Sequence, residues 1–163
     1  MPGHDMQRRL IITFGVLIGL MWMGEVVVGN LGDTVILGNL RTFHFHAYRV
    51  IGWSFVSGAL ALTVLAGLVG AYRIGGIQAG LSVGVWSGLI SGAITLVTIM
   101  VVTVLFRNSL LMAPSNSAEF AGSAPRMYAD ALGAGVNHLW IGLLLGLTLG
   151  WAGAIVGSWL RAD

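Results

Sequence analysis

Four long stretches almost free of charged residues alternate with shorter polar connections along this chain. The first covers residues 10–29 and is broken only by Glu25; the others cover 49–72, 76–106 and 133–160. A helix needs about 20 residues to cross a ~30 Å hydrocarbon core, and every stretch reaches that length. No proline falls inside any of them, and an uninterrupted helix satisfies its own backbone hydrogen bonds in lipid. The pattern predicts an all-α fold, an integral membrane four-helix bundle, with residues 1–163 forming a single membrane domain. The third and fourth stretches exceed one crossing, so their helices are expected to tilt or to continue past the interface.

The connections differ in kind. Ala71 to Gly76 reads as a tight turn, residues 30–48 as a moderate loop, and residues 107–132 as the longest loop, containing Pro114 and Pro125. Pro125 is placed to open a short interfacial helix carrying Met127, Tyr128 and Ala131, since proline is tolerated in a first helical turn. Arg8-Arg9 before an apolar run also has the outline of a signal peptide. Glu25 fits that outline poorly, so the first stretch is expected to remain as a span.

Composition supports lipid as the main solvent. The chain is 56% hydrophobic and 9% charged, whereas a soluble domain carries about 25% charged residues. Its 8 basic side chains are all arginines, dispersed along the chain, and the net charge is +2. That distribution tracks no phosphate backbone, so nucleic acid is not an expected partner. With no cysteine, disulfides, thiolate metal sites and cysteine nucleophiles are excluded. Arginines divide four and four between the two faces, and only the clustered Arg8-Arg9 pair favours cytoplasmic N- and C-termini.

Glycine, at 25 residues, is the composition's strongest feature. In the third stretch Gly76, Gly80, Gly84, Gly88 and Gly92 recur every fourth residue; in the fourth, Gly142, Gly146 and Gly150 are followed by Ala154 and Ser158. Residues four apart share a helix face, so each helix is expected to carry a ridge along which another backbone approaches closely. Ser87, Ser91 and Thr95 run beside the first ridge and are expected to bond back to their own helix. Trp53, Trp140, Trp159, Tyr48, Tyr72 and Tyr128 lie near span ends, where amphipathic rings belong. Trp86 lies deeper and reads as a packing residue.

Four spans force both long loops onto one membrane face. That face gathers Glu25, Arg41, His44, His46, Arg49, Arg107 and His138. Glu25 stands about one turn inside its span, where an ionised carboxylate is costly unless paired and marks a functional candidate; Arg49, Arg107 or a histidine would be its partner. Glu25, Arg49, Arg107 and His138 are therefore the candidate polar or substrate site. His44, His46 and His138 are the candidate ligand histidines, and a haem b held between His138 and His44 or His46 is the one cofactor their number brings to mind. No metal site is expected, and no catalytic motif is present: there is neither a phosphate loop, a Gly-x-Ser-x-Gly nor a His-Glu-x-x-His.

These features point first to a non-catalytic subunit or self-associating bundle of a membrane complex, meeting its partners inside the bilayer. A small transporter or channel built on Glu25 and the arginine and histidine face is the alternative. A haem- or quinone-associated redox protein is the third.

Overall fold

The computed structural model describes residues 2–31, 45–112 and 124–162 of the chain. Among these, the elements are α1 (Pro2–Leu31), α2 (Phe45–Gly70), a π-helical turn (Ala71–Gly75), α3 (Ile77–Leu105), a short α4 (Arg107–Met112) and α5 (Ala124–Ala162). Helices α1, α2, α3 and α5 are each long and apolar enough to cross a membrane, and the protein is a multi-pass membrane protein of the four-helix-bundle class.

Helix ends follow local chemistry. Pro2 and Pro125 both fall in first turns, where a missing N–H costs nothing. Pro125 opens no separate interfacial helix: the turn carrying Met127 and Tyr128 continues without a break into the membrane span, giving one helix of 39 residues. At about 1.5 Å per residue it is nearly twice as long as the hydrocarbon core is thick. Between α2 and α3 the chain widens into the π turn and then reverses at Gly75 (φ 108°) and Gly76 (φ 85°), a backbone region that favours glycine.

α3 packs most extensively on α5 and next on α1, while α2 packs on α5 and α1 and more lightly on α3. α1 and α5 thus occupy opposite corners, with α2 and α3 across the short diagonal. The α3–α5 seam is backbone against backbone. A Cβ on Gly84 would lie 2.8 Å from the Cα of Gly150, one on Gly146 2.8 Å from the Cα of Val85, and one on Gly92 2.8 Å from the Cα of Leu139. Gly88 and Gly142 face each other's carbonyl oxygens, and Gly80 meets Ala154 and the carbonyl of Gly67. Gly76 does not join this seam. Its Cβ position is open, and its role is to adopt the positive φ that ends the turn.

A second glycine face lies outside the ridges read from the sequence. Gly153 and Gly157 of α5 press on the carbonyls of Val64 and Leu68 in α2, and Gly67 of α2 presses on that of Gly150. α5 is therefore gripped from two sides. On α1 the logic differs: Gly15 and Gly19 are dimples that receive the side chains of Ile90 and Ile94.

Hydroxyl groups mostly serve their own helix. Ser91 donates to the carbonyl of Gly88 (2.8 Å), Thr95 to that of Ser91 (2.9 Å) and Thr63 to that of Ala59 (2.8 Å). Ser87 breaks this rule by donating across the interface to the carbonyl of Ile11 in α1 (3.2 Å), and Gln7 donates to Ser82 one layer away (3.0 Å). Two polar contacts therefore fix the register of α1 on α3. Trp86 is no packing residue: it is 54% exposed, and Trp151 is 52% exposed. Both rings stand on the outer surface among exposed leucines and valines, as lipid-facing side chains do.

Candidate functional site

The face of α1 that points into the bundle can be traced by its period. Ile18, Trp22, Glu25 and Gly29 follow one another at intervals of four, three and four, the signature of one helical stripe. Ile18 is fully buried, which fixes that stripe as inward. Glu25 is therefore aimed into the wide diagonal between α1 and α5, and its side chain is half-buried.

No hydrogen bond or ion pair to Glu25 is made among the described residues. Its Oε1 lies instead over Gly29, 3.7 Å from where a Cβ on that residue would stand. The carboxylate thus extends along α1 toward the polar face. The C-terminal end of α1 contributes the negative pole of its helix dipole in the same direction, and the exposed Asn30 donates back to the carbonyl of Val26 in its own helix (2.8 Å).

Across the diagonal stands His138 of α5. Its Nδ1 lies 2.9 Å from the carbonyl oxygen of Ala134; a carbonyl only accepts, so Nδ1 is the donor. The imidazole meets Trp22 edge-on, with centroids 5.8 Å apart at 78°. This contact joins the two corner helices, which otherwise barely touch. Because Trp22 precedes Glu25 by three residues, it forms a floor one turn beneath the carboxylate.

On the α2 side the Phe55 ring packs over Gly24, where a Cβ would lie 2.6 Å from its Cε1, and Met21 packs over Gly58. About one turn nearer the end of α2, Gly52 lies on the same helical stripe as the buried Ala59, Thr63 and Ala66, yet among the described residues a Cβ there would meet nothing within 4 Å. Around it Val50, Ile51 and Trp53 are exposed. On the α3 side the end of the bundle is closed by a small apolar cluster of Leu31, Val102, Leu110 and Met127.

The remaining expected site residues separate. Arg107 opens α4, is exposed and pairs with no acid among the described residues. Arg41 and His44 lie outside the described residues. His46 and Arg49 belong to the first turns of α2, and their side chains also lie outside the described set. A haem held by two histidines would need His44 or His46 beside His138. Among the described residues no three His, Cys, Asp or Glu side chains gather as a metal site would require. Two contributors were not singled out from the sequence: Trp22, whose contact needs α5 brought opposite α1, and Gly52, whose only signal was its place on the inward stripe of α2.

Compared with known protein families, with curated proteins and with solved structures, the chain matches none.

Proposed function

We propose that this is a small non-enzymatic transporter or channel whose polar end takes a proton or small cation at Glu25. The observation that carries the reading is an inward-facing carboxylate with no protein partner among the described residues. Within a bilayer a structural acid is normally neutralised by an arginine or histidine, because an isolated charge at depth costs several kcal/mol, about 2.5–3.5 on insertion scales. A carboxylate left unpaired is available to a mobile cation, which supplies the missing charge when it arrives and removes it on leaving. Trp22 and His138 beneath it would form the floor through which the solute must pass, and rotation of the imidazole would open that floor.

Reading the protein as a subunit or self-associating bundle left the glycine ridges free to pack within the chain or between copies. Both ridges are occupied within the chain by α2, α3 and α5. A partner would have to meet the lipid-facing side chains instead, so the ridges lend that reading no support.

The test is flux into proteoliposomes, with an internal pH dye for protons and radioactive sodium for cations. Glu25→Gln removes the charge while preserving shape and is expected to abolish flux at unchanged folded yield, read by size exclusion in detergent. If the variant transports as well as the parent protein, or if neither ion moves through the parent, the proposal fails.

A further inference from the structure

The apolar surfaces of the helices end at different heights, and contacts between helices fix those heights. Four contacts set the register of α1 on α3. Gln7 donates to Ser82 (3.0 Å), Ser87 donates to the carbonyl of Ile11 (3.2 Å), and Ile90 and Ile94 seat over Gly15 and Gly19. Each pairs an α1 residue with the α3 residue 75 or 76 positions on, so Arg8 and Arg9 stand level with Val83 and Gly84. Gly84 in turn lies against Gly150 of α5, and Gly67 of α2 lies against the carbonyl of Gly150. The exposed Arg8 and Arg9 are therefore at the height of Gly150, next to which the Trp151 ring is 52% exposed.

The chain runs well past that height on the other side of the bundle before it meets a charge. After Gly67 the next charged residue is Arg73, six positions on; after Gly150 it is Arg161, eleven on. At about 1.5 Å per residue these lie about 9 Å and about 16 Å farther out than Arg9. The end of α5 meets the α2–α3 turn there: the Arg161 guanidinium rests over Gly75, where a Cβ would lie 2.8 Å from its Cζ. Val156 (42% exposed), Trp159 (69%) and Leu160 (56%) cover the added height of α5 with apolar surface. No such step exists at the other end of the bundle, because Leu31 of α1, Val102 of α3 and Met127 of α5 meet in one apolar cluster. A tilt of the whole bundle would slope both boundaries alike, so it cannot level one end and leave the other even. Nor can α1 slide outward, since that would break all four contacts with α3.

We propose that the bundle is a wedge in the bilayer. Beside α1 the leaflet is drawn thin, with lipid phosphates pulled inward to Arg8 and Arg9; along α2 and α5 it keeps its full depth. A short span is accommodated by thinning of the bilayer around it, and a guanidinium is a fork matched to phosphate oxygens. The partner of this surface is the headgroup layer itself, and it lies away from Glu25 and is independent of ion transport.

The chain contains no cysteine, so single cysteines report position without background. Arg9→Cys and Val156→Cys, in liposomes of phosphatidylcholine and phosphatidylglycerol with a charged, membrane-impermeant maleimide on both sides, test the wedge. Val156 lies six positions beyond Gly150 and so farther out along the bundle than Arg9. Arg9→Cys is nevertheless expected to react at least about ten-fold faster, because a charged reagent is excluded from hydrocarbon. Equal rates, or a faster Val156→Cys, overturn the proposal by showing one level boundary with the end of α5 in water. An unreactive Arg9→Cys overturns it as well, by placing the arginines in hydrocarbon. Size exclusion in detergent confirms that each variant is folded. Arg8→Cys and Ala152→Cys, both at exposed positions, replace a variant that fails to fold and are expected to show the same order.

Discussion

The seam between α3 and α5 and the mouth around Glu25 are built from the same residue type to opposite ends. Along the seam, Gly84, Gly88, Gly142 and Gly146 remove side chains so that two backbones can touch, and every open valence is filled by the other helix. At the polar end, Gly52 and Gly29 also lack side chains, yet among the described residues neither is met by another helix. Glycine thus produces contact where helices converge and space where they diverge. The difference teaches that a glycine count in a membrane helix says little until the neighbouring axis is known. It also separates a seam of close backbone contact from a polar end where Glu25 has no partner among the described residues.

Substitutions can break this contrast in order of size. Gly88→Leu forces a full side chain into the carbonyl of Gly142, and is expected to cost about 3 kcal/mol or more. Unfolding in detergent, followed by circular dichroism, should show a collapsed transition or no folded protein; near-parental stability would mean that α3 and α5 are not in backbone contact. Ser87→Ala removes the hydroxyl bond to Ile11 and leaves the seam untouched. Interhelical hydrogen bonds in membranes average about 0.6 kcal/mol, so a small destabilisation of that order is expected in the same assay, with a loss above about 2 kcal/mol pointing to a larger role for the α1–α3 clasp. Gly52→Ala fills open space and restores helix propensity, and should stabilise the protein by about 0.5–1 kcal/mol. A destabilised Gly52→Ala would show that α2 closes on this position. The pair Gly88→Leu and Gly52→Ala therefore changes sign across the molecule although both enlarge a glycine.

Much of the seam was legible in the sequence because a fourfold period needs no tertiary information: residues four apart share a face in any helix. The period could not say which ridge met which, and it overran its own end at Gly76, where the backbone leaves the helix. It also missed Gly153 and Gly157, which share the fourfold spacing on a second face of α5 turned to α2, because a series of only two glycines does not stand out beside the longer ridge. Ser87 escaped for a related reason. A serine in a helix has a carbonyl of its own within reach, and only the arrival of Ile11 from α1 offers another. Trp86 was misread as internal because depth along a helix was taken for depth within the bundle, and the two are independent.

For the polar end, the sequence determined that Glu25 would sit in a span near its end and that both long connections would share that face, since charge spacing and the parity of four crossings require it. It determined the membrane setting outright, because a chain with so few charges has no other solvent for its surface. Only the tertiary structure decided that Glu25 points inward with no partner among the described residues, that His138 meets Trp22 across the bundle, and that Arg161 finds a seat on Gly75. Those outcomes depend on the angles at which helices cross, and crossing angles are set by how ridges and side chains of different helices fit together, which no single helix records.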